Sequence, residues 1–419
     1  MIDTMAKNTN SRHSVRSLLI IVFILIIGYV IWALYIATPS IKPNTSLKTI
    51  SYVAPSVSLP WPPYGQAAIG IDNQGVIASH GTETPSPTAS TAKLITALCV
   101  LKKHPITPGQ SGPIITISPA DVAIYNKYQS EDGSDMVVVN GEQLTEYQML
   151  EAMMLPSADN IADSLAIWSF GSLTNYSAYA NNFLKTHGLN STHVGNDASG
   201  YDPSTTSTAS NLVKIGELVM DSPILSGIVS KPSVSGMPIV GTIRNYNMLL
   251  GKDNIVGIKT GNTNQAGGVY ISASKLMVNN SSVTIVTAIM QAPTLLDAMS
   301  SSLPLIKAAQ SNFTTPPEVA SISQGTLVGE YRMPWQNSSV SSTASQPGVF
   351  SAWGSTNVTE SIKLNDINVK SKLNQVIGTI TISSVIPKDS KTIKVVLSSV
   401  PSKPSKLWVL LHPEYLVHL

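Results

Sequence analysis

A hydroxyl and an amine stand three residues apart at Ser90 and Lys93. The apolar run that follows, residues 94–101, has helical rather than alternating periodicity, and residues three apart on a helix share a face. A serine hydroxyl needs a base to become a nucleophile at neutral pH, and a lysine held neutral by burial and a neighbouring cation can be that base. The pair therefore predicts nucleophilic catalysis by Ser90, with Lys93 as the base.

The same spacing occurs again at Ser272 and Lys275, within a run that alternates in the manner of a β-strand. Residues three apart on a strand point to opposite faces of the sheet. This second pair cannot meet, so only Ser90 and Lys93 are expected to do chemistry.

Two further segments carry side chains suited to the same reaction. Ser157 supplies a hydroxyl that can relay a proton between lysine amines and a leaving amine. Lys259 and Thr260 offer a cation and a donor for a carboxylate, on a strand that can pair with an extended peptide. Gly261 would let the backbone of that peptide come close. Together these residues predict acyl transfer on a peptide that ends in a free carboxylate.

In their order along the chain, these segments resemble the serine D-Ala-D-Ala carboxypeptidases, the low-molecular-mass penicillin-binding proteins. The resemblance covers about residues 67–309 and is carried by three stretches: residues 87–97, 155–163 and 257–263. Shorter stretches agree with it: residues 141–145, 197–200, 207–209 and 266–267.

The resemblance implies a β-lactamase/transpeptidase-like α+β fold, in which helices cover an antiparallel sheet beside an all-helical subdomain. It implies that Ser90 is acylated, with Lys93 as base, Ser157 as proton relay and Lys259 as anchor for the substrate carboxylate. It also implies an oxyanion hole formed by the backbone N–H groups of Ser90 and Asn262. The expected partner is the D-Ala-D-Ala terminus of peptidoglycan stem peptides, with β-lactams as covalent inhibitors.

One position departs from the family's pattern. The middle motif of the family is usually Ser-x-Asn, whereas here Asp159 stands third and Asn160 follows it. If Asp159 points into the cleft, its charge favours the ammonium form of Lys93, which is not a base. A shift of one residue would instead bring Asn160 to the family's amide position. Both residues are therefore candidates for the substrate-binding site.

The sequence also predicts the strands and helices that would position these residues. Residues 66–71 and 75–78 predict a hairpin with Asp72 and Asn73 in its turn, and residues 254–290 predict two or three antiparallel strands, the first carrying Lys259. Helices between these two sets of strands indicate an α+β domain, a sheet covered by helices.

Helix starts are predicted at three positions. Thr145 and Gln148 form a capping-box pattern for a helix that would deliver Ser157 near its end, and Ser207 begins a second capped helix. A closing helix is expected from Thr294 to Ala309, kinked or split at Pro304.

Residues 18–37 form an uncharged, almost wholly apolar run of about the length that spans a bilayer. Basic residues precede it, which predicts a cytoplasmic N-terminus and an extracytoplasmic remainder. We expect a retained anchor in the cell membrane, with a cleaved signal peptide as the alternative; Tyr35 spoils the small-residue pattern that a cleavage site before Ala37 would need.

The sequence predicts five successive regions. The segment after the anchor is rich in Pro, Ser and Thr, and the residues beyond the Pro316–Pro317 pair form short β-prone runs separated by polar loops. The expected regions are a cytoplasmic N-terminus (1–17), the transmembrane anchor (18–37), a linker (38–63), the catalytic domain (64–312) and a small all-β C-terminal domain (318–419).

Composition narrows the function classes. A net charge of +2 over 419 residues gives no basis for nucleic-acid binding. The seven histidines show no paired ligand spacing, so neither a metal nor another cofactor is expected. Cys99 lies in apolar surroundings and is expected to be an inert core thiol. The alternatives to a carboxypeptidase are a β-lactamase or wall endopeptidase on the same fold, and a catalytically weak penicillin-binding scaffold suggested by Asp159.

Overall fold

The computed structural model describes residues 7–44, 50–53, 57–72, 74–278, 281–314, 318–353, 356–384 and 389–416. The chain divides into two compact units: Ser58–Thr315, and a second unit assembled from Met1–Val57 and Pro316–Leu419. Two predicted features, Asn73 in the first turn and residues 315–317 at the domain boundary, lie outside the described residues.

The described α-helices are α1 (Lys7–Ile31), α2 (Lys93–Lys103), α3 (Pro119–Ser130), α4 (Glu146–Met154), α5 (Asp159–Phe170), α6 (Leu173–Thr186), α7 (Ala209–Asp221), α8 (Pro223–Val229), α9 (Leu295–Thr314) and α10 (Lys406–Leu411). The described strands are β1 (Ser40–Ile41), β2 (Ile50–Val53), β3 (Gln66–Ile71), β4 (Gly75–His80), β5 (Ser86–Pro87), β6 (Ile114–Thr116), β7 (Gln143–Thr145), β8 (Thr206–Ser207), β9 (Ser233–Met237), β10 (Gly241–Arg244), β11 (Ile255–Thr263), β12 (Gly267–Val278), β13 (Ser281–Ala292), β14 (Glu318–Ile322), β15 (Leu327–Arg332), β16 (Ser339–Ala344), β17 (Gly348–Ser351), β18 (Asn357–Leu364), β19 (Ile367–Asn368), β20 (Val376–Ser384) and β21 (Asp389–Leu397).

A five-stranded antiparallel sheet organises the unit Ser58–Thr315, in the order β11-β12-β13-β3-β4. Successive strand residues face opposite sides, so the sheet feeds two cores. Ile271 and Ala288 belong to a large core shared with α2, α4, α5, α7 and α8, whereas Tyr270 and Ile289 pack with α9 on the other core. The predicted α+β class, with helices covering an antiparallel sheet, is confirmed.

The predicted helix starts are confirmed with two corrections. Thr145 caps α4 in a complete capping box with Gln148. The second helix is capped by Thr208 rather than Ser207, which lies in the short strand β8. The closing helix α9 is longer than predicted and is not split at Pro304. Buried side chains on both sides of that proline, including Met299 and Ile306, hold the helix against the sheet and offset the lost hydrogen bond.

A six-stranded antiparallel sheet, in the order β15-β16-β21-β20-β18-β2, forms the centre of the second unit. Residues 38–63 were predicted to be a linker, and this prediction is wrong: β2 pairs with β18, β1 pairs with β19, and Ile41 is buried in the core of this unit. The unit is β-rich as predicted, but it ends in the helix α10 and a 3₁₀ turn, Pro413–Tyr415.

The N-terminal helix α1 continues into a π-helical turn, Trp32–Ile36. The stretch Val15–Ile36 is 22 residues long and apolar enough to cross a membrane. It is compatible with either a single-pass anchor or a signal sequence.

Candidate active site

Ser90 and Lys93 lie at the junction of two helical segments. Ser90 belongs to a 3₁₀ turn, Ala89–Ala92, and Lys93 begins α2 directly before the apolar run, so the two residues lie on successive helical segments rather than on one α-helix. The contact expected from the spacing is present, because Lys93 Nζ donates a hydrogen bond to Ser90 Oγ at 2.9 Å. The second Ser-x-x-Lys pair lies on β12, where Ser272 is buried and Lys275 is exposed, as predicted.

The Lys93 amine is fully buried and makes three hydrogen bonds. Besides Ser90, it contacts Asp159 Oδ1 at 2.5 Å and the backbone carbonyl of Ser199 at 3.0 Å. An ammonium has three N–H donors, so these partners account for all of them. The amine is therefore held in one position, with its charge facing a carboxylate.

The first two residues of α5, Asp159 and Asn160, are the alternatives for the third position of the motif, and their side chains point in different directions. Asp159 is the residue that faces Lys93. Asn160 points elsewhere, because its amide accepts from the backbone N–H of Met136 at 3.0 Å and donates to the carbonyl of the same residue at 2.9 Å. Asn160 thus fixes a neighbouring loop. Burial raises the pKa of Asp159, and the charge of Lys93 opposes this effect.

Lys259 and Ser157 form a second amine–hydroxyl pair. Lys259 Nζ donates to Ser157 Oγ at 2.9 Å and to the carbonyl of Thr260 at 3.0 Å, and its side chain is buried. Burial, together with the charge of Lys93, lowers the pKa of Lys259 well below its usual value. Ser157 has a left-handed backbone with φ of 66°, a conformation that is costly for a non-glycine residue and often found at functional sites.

Gly261 brings β11 against the segment that carries Ser90. A Cβ atom at this position would lie 3.0 Å from the backbone N of Ser90 and 3.1 Å from Cβ of Ala89. Gly261 is predicted from its position to let a substrate backbone approach, and in the structure its close neighbour is the segment that carries Ser90. The next residue, Asn262, lines the adjoining cleft.

The loop of residues 197–200 supports Lys93 through the backbone carbonyl of Ser199, a role that the sequence did not predict. Asp197 accepts hydrogen bonds from Ser199 Oγ and from the backbone N–H of Gly200, which shapes the turn that presents the Ser199 carbonyl to Lys93. Asp163 accepts from Tyr128 and from the backbone N–H of Ala198, and burial raises the pKa of Asp163 to about 6. The short run Asp-Ala-Ser-Gly was the available signal for this loop.

A cavity of about 620 Å³ adjoins the end of β11. Its lining is polar and includes Asn262, Thr263, Asp197, Tyr201, Glu131 and Lys127. This volume is within the range of small-ligand sites. The cleft therefore has room for a small ligand next to Asn262, the residue that follows Gly261 on β11.

Other reactive groups do not add to the site. Among the residues that the structure describes, no group of three or more His, Cys, Asp and Glu side chains could hold a metal ion. Cys99 is buried, and burial raises the pKa of its thiol to about 12, in agreement with an inert core cysteine.

The sequence model of the D-alanyl-D-alanine carboxypeptidase family matches residues 64–294, more than half of the chain. The chain belongs to this family. It is thus a serine D-Ala-D-Ala carboxypeptidase by family, and the resemblance inferred from its motifs is confirmed. None of the curated proteins matches this chain.

Solved structures agree on the fold. A D-alanyl-D-alanine carboxypeptidase from Mycobacterium tuberculosis H37Rv is 26% identical with a TM-score of 0.52, covering 62% of this chain and 95% of that one. The Streptomyces K15 DD-transpeptidase is 19% identical with the same TM-score, covering 62% of this chain and 100% of that one. The second likeness concerns the fold alone.

Proposed function

We propose that this carboxypeptidase removes the terminal D-alanine of peptidoglycan stem peptides through an acyl-enzyme on Ser90. The observation that carries the proposal is the hydrogen bond of 2.9 Å between Lys93 Nζ and Ser90 Oγ, beside the matching bond between Lys259 Nζ and Ser157 Oγ. Each hydroxyl has an amine within reach of its proton.

The proposed reaction has two halves. Ser90 Oγ bonds to the carbonyl carbon of the penultimate D-alanine and gives its proton to Lys93, while the backbone N–H groups of Ser90 and Asn262 stabilise the oxyanion. The C–N bond then breaks, and the leaving nitrogen of the terminal D-alanine takes the proton of Lys93 through Ser157, so that Lys93 is neutral again for the second half. Water hydrolyses the ester, which returns a proton to Ser90 and releases the shortened peptide.

Lys259 is proposed to hold the terminal carboxylate of the substrate, with Thr260 beside it. A buried amine with a lowered pKa is a poor cation when the site is empty. The terminal carboxylate of a bound substrate favours the ammonium form of Lys259, so Lys259 becomes charged when the substrate binds.

Labelled penicillin tests the acylation step. The intact protein is expected to form a covalent adduct on Ser90, located by peptide mass spectrometry, and Ser90→Ala is expected to lose it. Ser272→Ala serves as the matched control, because it removes the serine of the strand-borne copy of the motif. An adduct on another residue, or no adduct on folded protein, would exclude this assignment.

The lifetime of the adduct separates the alternatives on the same fold. A β-lactamase would release the adduct within seconds, whereas a carboxypeptidase keeps it for much longer. An endopeptidase would cleave cross-linked peptide dimers rather than release D-alanine from a monomeric pentapeptide.

A catalytically weak penicillin-binding protein is the second candidate, and the contact of 2.5 Å between Lys93 and Asp159 favours it. A carboxylate so close to the amine stabilises the form that cannot accept a proton. Such a protein would be acylated slowly and would release little D-alanine.

We further propose that the apolar N-terminal helix is retained as a single-pass anchor, with the carboxypeptidase unit outside the cytoplasm. The mature protein is then expected to keep its N-terminus and to sediment with membranes. A mature N-terminus shortly after Ala37 would replace the anchor with a cleaved signal peptide and would leave the catalytic proposal untouched.

A further inference from the structure

Tyr201 crosses the wall of the cavity that adjoins the end of β11. Its hydroxyl donates a hydrogen bond to the backbone carbonyl of Glu131, the residue that ends α3, and both residues line the cavity. Its ring meets the ring of Tyr128 edge to face, with centroids 5.6 Å apart. The side chain therefore joins two segments that are distant in sequence: residues 131–134, here called the α3 segment, and residues 197–201, here called the carbonyl turn.

The carbonyl turn holds the amine of Lys93. The backbone N–H of Tyr201 donates to Oγ of Ser199 at 3.1 Å, and the backbone carbonyl of Ser199 accepts from Lys93 Nζ at 3.0 Å. Ser199 is fully buried. A displacement of Tyr201 would therefore move the turn from which the Ser199 carbonyl reaches the amine.

The α3 segment packs against Asp159, another partner of Lys93 Nζ. A Cβ atom on Gly133 would lie 3.0 Å from Asp159 Oδ2, so the two residues are in close contact. The backbone N–H of Asp159 donates to the carbonyl of Ser134 at 2.7 Å. The α3 segment thus determines where the carboxylate of Asp159 lies.

The Tyr201 hydroxyl keeps its proton at neutral pH. Burial raises the pKa of Tyr201 above its usual value, and the charges of Glu131 and Asp159 add to this effect. A carbonyl oxygen only accepts hydrogen bonds, so the bond to Glu131 requires the protonated hydroxyl. The link between the two segments is therefore in place at the pH of the proposed reaction.

We propose that Tyr201 is a positioning residue for acylation, because it holds the α3 segment and the carbonyl turn at the separation at which each presents its partner to Lys93. The inference rests on the proposed function, in which Lys93 is the base for Ser90. Tyr201 is bonded at both ends, through its backbone N–H and its hydroxyl, which limits the motion of one segment against the other. Proton transfer is sensitive to such motion, since a misplacement of about 1 Å can cost on the order of 100-fold in rate.

Tyr201→Phe tests this role, because it keeps the ring and removes only the hydroxyl. The measurement gives two quantities for penicillin: the acylation rate constant at saturation and the concentration at which the rate is half-maximal. We expect the rate constant to fall on the order of 10-fold, with little change in the half-saturating concentration or in thermal unfolding. Tyr64→Phe is the matched control, because the Tyr64 hydroxyl also donates to a backbone carbonyl, that of Asp297 at 2.9 Å, outside the candidate site.

Hydrogen exchange reports the position of the α3 segment without relying on activity. The amide of Asp159 is bound to the carbonyl of Ser134, and the amide of Gly133 is bound to the carbonyl of Tyr128 at 2.9 Å. Both amides should exchange faster in Tyr201→Phe than in the wild type, because the segment is released at one end. The amides of β13 serve as the internal reference, since this strand pairs with β3 and β12 in the middle of the sheet.

Three results would overturn the positioning role of Tyr201. They are an unchanged rate constant in Tyr201→Phe, unchanged exchange of both amides, and a loss confined to the half-saturating concentration, which would make Tyr201 a ligand contact of the cavity wall. Each of these leaves the proposed function intact as long as the wild type forms its adduct on Ser90. No adduct on the folded wild type would overturn the proposed function, and the role of Tyr201 in acylation with it.

Discussion

Lys93 Nζ lies 2.5 Å from Asp159 Oδ1, and both side chains are buried. The Ser-x-Asn pattern that is usual in the family has an amide at this position, whereas this chain carries a buried ion pair beside Ser90. Removing one partner of such a pair leaves an uncompensated charge, whereas an amide can keep the hydrogen bond without the charge. The pair is therefore a point at which a single substitution tests how the base works.

Asp159→Asn is expected to accelerate acylation of Ser90 at neutral pH. Loss of the carboxylate removes a negative charge that lies 2.5 Å from the Lys93 amine and stabilises the form of the amine that cannot accept the proton of Ser90. The rate of penicillin acylation at pH 7 should therefore rise, measured by stopped-flow or quenched-flow labelling.

Glu151→Gln is the matched control for this substitution, because Glu151 is also buried and lies 2.6 Å from a lysine amine, that of Lys231, outside the candidate site. It should leave the rate of acylation unchanged. If Asp159→Asn slows acylation instead, Asp159 takes part in the proton transfer. The prediction that the Asp159 carboxylate slows acylation would then be wrong.

The contact of Ser90 with Lys93 and the helix cap at Thr145 could be predicted from the sequence, because each joins residues that are three apart within one turn. The choice between Asp159 and Asn160 could not, since it depends on the backbone of Met136, which binds Asn160 from another part of the chain. The pairing of β2 with β18 also depends on a distant part of the chain, so the sequence did not predict β2 as a strand.

Gly261→Ala is expected to lower the rate of acylation with little change in thermal stability. The added Cβ would lie 3.0 Å from the backbone N of Ser90, so either β11 or the segment that carries Ser90 must shift by a few tenths of an ångström. A shift of that size misaligns a preorganised site. Gly227→Ala is the control, because a Cβ there meets nothing within 4 Å. Wild-type acylation by Gly261→Ala would show that the close approach is not needed.

Glu146 should make the stability of the chain depend on pH. Its side chain is 0% exposed, both carboxylate oxygens lack a hydrogen-bond partner, and burial raises the pKa of Glu146 from 4.5 to about 7. Between these values the folded state binds more protons than the unfolded state, so stability falls as pH rises and the loss is complete above about pH 7.

Glu146→Gln removes this titration and is expected to unfold at a higher temperature than the wild type at pH 8, but not at pH 4. The gain is about 3 kcal/mol from the pKa difference, which corresponds to roughly 5 °C or more for a unit of this size. Melting curves at the two pH values measure it, with exposed Glu131→Gln as control. Equal gains at both pH values would mean that the carboxylate does not titrate in this range.

Lys259→Ala is expected to depress hydrolysis of a peptide ending in D-Ala-D-Ala, because Lys259 is the buried amine proposed to hold the terminal carboxylate. A charged hydrogen bond there contributes about 1.5–3 kcal/mol, or roughly 10- to 150-fold in kcat/KM. The loss should be much smaller for the same peptide with an amidated terminus, which has no anion to hold. The measurement compares wild type and variant on both substrates, with exposed Lys252→Ala as control. Equal losses on both substrates would instead assign Lys259 to proton transfer through Ser157, to which its Nζ is already bonded at 2.9 Å.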